Sequence, residues 1–86
     1  MNIENILNQG VSILKANNIS TSLLDCEILL SKSINKDRKY IILNSKKFLD
    51  SKQLENFKSL IERRKKGEPI AYLINKKEFW NDEFYV

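Results

Sequence analysis

The side chains able to do chemistry in this chain are few, and their types favour binding over catalysis. The 86 residues include no histidine, so the commonest general base and the commonest zinc ligand are both missing. The single cysteine, Cys26, has no second thiol for an internal disulfide and no histidine with which to share a metal. It stands in an apolar run of Leu23, Leu24, Ile28, Leu29 and Leu30 and reads as a small core residue. Asp25 and Glu27 are two apart; on a helix such residues point away from each other and do not form an acid–base pair. Asp82 and Glu83 fall in an expected turn and read as solvated carboxylates. The chain has no phosphate-cradling glycine loop and no nucleophile elbow.

What remains is a cluster near the C-terminal end. Arg63-Arg64-Lys65-Lys66 is followed by Tyr72, Phe79, Trp80, Phe84 and Tyr85. Cations beside aromatic rings suit stacking on nucleic-acid bases. The same rings suit packing against a further domain, and the same cations suit the negative end of a helix. A formal net charge of +4 fits an acidic partner, protein or nucleic acid; lysine-rich solvated helix faces give the same figure. Arg63, Arg64, Lys66 and Tyr72 are therefore the candidates for binding a partner. Phe79, Trp80, Phe84 and Tyr85 are the candidates for contact with a neighbouring domain. No residue is assigned a catalytic, cofactor-binding or metal-binding role.

The elements that must carry these residues are mostly helical. The length allows one domain, which buries only about 60–65% of the surface its unfolded chain exposes, so the core must be thin. Asn2 is placed to cap a first helix whose stripe is Ile3, Ile6, Leu7, Val11 and Leu14. Gly10 falls on that stripe and predicts close approach by a neighbouring helix. Asn17-Asn18 ends it. A second helix begins at Ser20 or Ser22 and runs to Ile34, and Asn35-Lys36 breaks it. Asp37 caps a short third helix bearing Tyr40, Ile41, Ile42 and Leu43, which needs packing to be stable. Asp50 and Gln53 at capping-box spacing, with Leu49 and Leu54 as a hydrophobic staple, start the fourth. Its buried side is Leu54, Phe57, Leu60 and Ile61, and Gly67 and Pro69 end it. Pro69 then opens a brief fifth helix through Ile74, which Asn75 closes.

Beyond Asn75 the pattern changes period. Glu78-Phe79-Trp80 and Phe84-Tyr85-Val86 flank a polar Asn81-Asp82-Glu83 triplet, as in a β-hairpin. A lone hairpin is marginal in water and would expose its aromatics. The expectation is a mainly α fold: a bundle of about five helices over residues 1–75, then a hairpin linker over 76–86 leading to a further domain. With one cysteine and no signal peptide or long apolar run, the expected compartment is the cytoplasm.

The segment Arg-Arg-Lys-Lys-Gly-Glu-Pro-Ile-Ala-Tyr-Leu-Ile-Asn-Lys-Lys-Glu-Phe-Trp resembles the end of the N-terminal domain of HemK/PrmC-type release-factor glutamine methyltransferases. The family pattern is a basic helix end, Gly-x-Pro, an aromatic, a Gly, Glu-Phe, a turn and Phe-x-Val. It is matched here by Arg63, Arg64, Gly67, Pro69, Tyr72, Glu78, Phe79, Trp80, Phe84 and Val86. Asp25-Cys26-Glu27-Ile28-Leu29-Leu30 is similar to the family's Asp-Ala-Glu-x-Leu-Leu. Asn75 stands where the family has Gly, and Asn is the next best residue for a left-handed turn.

The resemblance implies a helical substrate-recognition domain joined to a Rossmann-like catalytic domain that uses S-adenosylmethionine. The parent enzyme would methylate the Gln of the Gly-Gly-Gln motif in class-1 peptide chain release factors. The cofactor loop and the Asn-Pro-Pro-Tyr motif of that family lie in the catalytic domain, so no cofactor is implied for residues 1–86 themselves. The implied partners are the release factor and the chain's own catalytic domain, with neither membrane nor nucleic acid. In some relatives a second, tRNA-methylating domain follows. A stand-alone basic helical module that binds RNA is the alternative reading.

The fourth helix offers a direct check on these boundaries. Removing the Asp50 side chain leaves first-turn N–H groups without an acceptor, so Asp50→Ala should cost about 0.5–2 kcal/mol. Denaturant melts that superimpose on wild type would place the helix start elsewhere.

Overall fold

The computed structural model describes residues 1–74. The hairpin expected over 76–86 and the closing role of Asn75 lie outside the described residues. Within them the chain forms five helices: α1 (Ile3–Ala16), α2 (Ser22–Ile34), α3 (Arg38–Leu43), α4 (Ser51–Lys65) and α5 (Ile70–Ile74). α1, α2 and α4 pack on one another around the core, α3 lies on α2, and α5 lies on α2 and α4.

The helix starts follow from capping. The Asn2 side chain accepts from the Asn5 N–H at 2.8 Å, and Asp37 accepts from the Tyr40 N–H at 2.9 Å. At α4 the capping box is complete: the Asp50 carboxylate accepts from the Gln53 N–H at 2.7 Å, and the Gln53 side chain accepts from the Asp50 N–H at 3.2 Å. α2 departs from this rule. It begins at Ser22, and the hydroxyl of the preceding Thr21 donates to the Asp25 carboxylate instead of capping a backbone N–H.

Three helices end in the same way. Asn18, Asn35 and Gly67 all have positive φ (64°, 60° and 105°). In each case the following N–H reaches back to a carbonyl of the last turn: Ile19 to Leu14, Lys36 to Ser31, Glu68 to Arg63. This is the Schellman arrangement, which satisfies carbonyls that the helix itself leaves unpaired. Asparagine supplies the left-handed residue twice, because its short polar side chain tolerates that conformation best after glycine. Pro69 stands one position before α5, and its carbonyl accepts the first bond of that helix from the Leu73 N–H.

The core comprises Ile3, Ile6 and Leu14 from α1, Cys26, Leu29, Leu30 and Ile34 from α2, Ile41 from α3, Phe57, Leu60 and Ile61 from α4, and Leu73 from α5. Leu7, Val11, Leu49 and Leu54 pack around it, half-buried. Not every expected apolar face turns inward. Leu23 and Leu24 of α2 are exposed; Leu24, two residues from Cys26, points away from it on the helix. In α3 only Ile41 is buried, and Ile42 and Leu43 face outward.

Gly10 sits where the three principal helices meet. A Cβ there would stand 2.9 Å from Phe57 Cζ, 3.0 Å from Cys26 Sγ and 3.2 Å from Ile61 Cδ1. Glycine thus gives up helix propensity to let α2 and α4 approach α1. Gly10→Ala should gain about 1 kcal/mol in propensity but lose more to overpacking, a net destabilisation of about 1 kcal/mol. Urea melts of Gly10→Ala in the wild-type and Phe57→Leu backgrounds check this: the alanine should cost less beside the shorter side chain, and a Gly10→Ala protein more stable than wild type would refute the packing argument.

Candidate binding and orienting site

The basic end of α4 meets α2 and the α4–α5 turn, and the ion pairs formed there decide which of its cations face outward. The Arg64 Nε donates to Asp25 Oδ2 at 2.9 Å, and its Nη1 donates to the Glu68 carbonyl at 2.9 Å. The Asp25 side chain is only 6% exposed and that of Arg64 20%. The same carboxylate oxygen accepts from the Thr21 hydroxyl at 2.9 Å. A single buried carboxylate therefore holds the start of α2, the end of α4 and, through the arginine fork, the turn into α5.

The neighbouring cations are also engaged. Arg63 Nη2 lies 2.9 Å from Glu68 Oε1, and Arg63 Nε donates to Oε2 at 3.1 Å. The contact to Oε1 is electrostatic, without the geometry of a directed hydrogen bond. Lys65 pairs with Glu62 at 3.2 Å. Of the four partner-binding candidates, Arg63 and Arg64 are thus part of the internal network, and Lys66 and Tyr72 are exposed. Phe79, Trp80, Phe84 and Tyr85 lie outside the described residues. Sequence reasoning did not assign Asp25 this partner. The available signal was its position in the mostly apolar stretch of a helix, beside Cys26, Leu29 and Leu30, which become core.

Cys26 offers no chemistry. It is fully buried against Gly10, and burial, with the charges of Asp25 and Glu27, pushes its thiol up to about 12 from 9.0. A thiol held neutral in this way is a poor nucleophile and a poor metal ligand. A groove runs between α1 and α4. Ile6, Gly10, Ile13, Leu54, Phe57 and Ile61 line it, and Gln9, Lys58 and Glu62 rim it.

Comparison with known proteins decides the family. The family model described as the PrmC N-terminal domain matches residues 5–74, which is the whole of α2 to α5 and nearly all of α1. The chain belongs to that family. A bifunctional methyltransferase of Rickettsia felis is 42% identical over 84 residues, covering 98% of this chain and 16% of the relative. One from Rickettsia bellii is 39% identical over 84 residues, with 98% and 15% covered. A release factor glutamine methyltransferase of Aliivibrio fischeri is 33% identical over 81 residues, 94% of this chain and 28% of the relative. The chain thus spans between about one seventh and little more than a quarter of the length of these relatives. No solved structure matches it.

The fold depends on the Asp25–Arg64 pair for more than surface charge. Removing one member strands the other in a poorly hydrated site, so Asp25→Ala should cost about 3 kcal/mol. Arg64→Met added to it should cost little further, because the stranded charge is gone. A double-mutant cycle by chemical denaturation should give a coupling of about 1–3 kcal/mol; additive losses would show that the two side chains act independently.

Proposed function

We propose that this domain is the substrate-holding part of an S-adenosylmethionine-dependent enzyme that methylates the side-chain amide nitrogen of the Gln in the Gly-Gly-Gln motif of class-1 peptide chain release factors. The observation that carries the reading is the family match over residues 5–74, together with relatives named release factor glutamine methyltransferases. Of the chain's two glycines, Gly10 is packed into the core and Gly67 closes α4, so neither forms a loop around a nucleoside or phosphate. Residues 1–74 do not fit S-adenosylmethionine, and the cofactor belongs to a catalytic domain beyond them.

The domain's part in this reaction is to bind and orient. The Asp25–Arg64–Glu68 network fixes α5 against α2 and α4, and α5 leads directly into residues 75–86. Phe79, Trp80, Phe84 and Tyr85 of that segment are the proposed contacts with the catalytic domain; exposed Lys66 and Tyr72 are proposed to touch the release factor. The described residues contain no helix long and apolar enough to cross a membrane, and the proposed compartment is the cytoplasm, where the substrate works. Recruitment of RNA by the basic run is the weaker reading, because Arg63, Arg64 and Lys65 already hold carboxylates within the domain.

Holding a protein substrate in register with the methyl donor lowers the barrier by positioning. In the full-length protein, Trp80→Ala should reduce methylation of intact release factor on the order of tenfold. Methylation of a short Gly-Gly-Gln peptide, which has no means of using the helical domain, should change less than about twofold. Mass spectrometry of the modified glutamine measures both. Equal losses on the two substrates would show that Trp80 supports only the catalytic core, and absence of methylation of release factor by wild type would overturn the assignment.

A further inference from the structure

The positive charge is not confined to the end of α4. Three of the four cations there hold carboxylates within the domain, and a second concentration of positive charge lies in residues 36–50. That stretch holds five cations, Lys36, Arg38, Lys39, Lys46 and Lys47, against two carboxylates, Asp37 and Asp50, so three of the chain's four net charges fall in it. Arg38 pairs with Glu27 at 2.7 Å and Lys46 with Glu4 at 2.9 Å. Lys36, Lys39 and Lys47 have no ion-pair partner among the described residues.

The same stretch exposes its apolar side chains. Ile42, Leu43 and Phe48 are 63%, 73% and 71% exposed, though a domain this small needs apolar residues inside. Their exposure is held by backbone. The Ile3 and Glu4 N–H groups donate to the Lys47 and Ser45 carbonyls at 2.9 Å each, and Asn2 bridges to Phe48. The loop therefore supplies acceptors to the free N-terminal N–H groups of α1 and cannot fold inward without giving them up. Beside it, Lys36 Nζ stands 5.2 Å and Lys47 Nζ 6.0 Å from the centre of the Tyr40 ring. These residues and Phe48 rim a shallow hollow floored by Ile3, Ile34 and Leu49.

We propose that α3 and the 44–48 loop form a docking surface for an acidic protein surface carrying an apolar side chain, with Lys36, Lys39 and Lys47 steering and Phe48 and Leu43 anchoring. The occupant, on the function proposed above and resting on it, is the release factor. Relatives named release factor glutamine methyltransferases support this choice, and unpaired lysines around exposed apolar side chains give this surface the charged rim and apolar centre of a protein interface. Lysine point charges at the rim govern encounter, and an exposed aromatic at the centre governs residence.

Binding of purified release factor to the full-length protein, followed by biolayer interferometry at low and high salt, tests this. Lys39→Glu and Lys47→Glu should each slow association about tenfold at low salt, with little effect at high salt. Phe48→Ser should instead raise the dissociation rate about tenfold. Because all three side chains are exposed, melting temperatures should stay at the wild-type value. Lys15→Glu makes the same charge change at the far end of α1 and should alter neither rate by more than about twofold. Wild-type binding with all three variants unchanged would overturn the surface and leave the function standing; failure of wild type to bind would overturn both. The surface also falls if Lys15→Glu matches Lys47→Glu, or if the Phe48→Ser loss appears instead in binding to tRNA, to phosphatidylglycerol vesicles or to a second copy of the chain in sedimentation.

Discussion

The missing side chain at Gly10 is the constraint on which the rest of the bundle depends. Three helices converge on that one position, and the ring of Phe57, the thiol of Cys26 and the methyl of Ile61 fill the space that any Cβ would claim. A thin core has no spare layers through which to absorb a displaced helix. The glycine's cost in helix propensity is about 1 kcal/mol, smaller than the roughly 3–5 kcal/mol that a buried phenylalanine contributes by its packing. The balance favours close approach. Gly10 also lines an apolar groove between α1 and α4, with Ile6, Ile13, Leu54, Phe57 and Ile61.

A second layer of organisation is polar. The Asp25–Arg64 pair is set between α2 and α4, and its hydrogen bonds extend to Thr21 and to the Glu68 carbonyl. Such a pair adds modestly to stability relative to a well-packed apolar substitute. Its distinctive effect is geometric: the planar guanidinium holds a helix end and the next turn in one plane. A five-residue helix such as α5 has little stability alone. Its direction comes from this network and from burial of Leu73.

The loop after α3 shows the same economy. It caps the N-terminus of α1 from outside the helix, its Lys47 and Ser45 carbonyls accepting from the Ile3 and Glu4 N–H groups that the helix leaves unpaired. The consequence is that Phe48 and its neighbours stay at the surface. Hydrophobic exposure at this point follows from a backbone hydrogen-bond requirement, and Lys36 and Lys47 stand beside it.

Much of the fold was legible in the sequence because it is set locally. Helix starts at Asn2, Asp37 and Asp50 and ends at Asn18, Asn35 and Gly67 depend on residues within five positions of the backbone groups that are satisfied. The apolar periods of α1 and α4 were readable for the same reason, and Gly10 betrayed a close contact by being the wrong residue for a helix interior. The short motif around Gly67 and Pro69 carried the family. Tertiary structure decided what depends on partners far along the chain. Asp25 and Arg64 are 39 residues apart, so nothing local marks them as a pair, and a basic run legible as a binding site turns out to be largely spent on its own carboxylates. Exposure of Leu24, Ile42, Leu43 and Phe48 was likewise undecided by hydropathy, because an apolar residue turns inward only where another element is present to cover it.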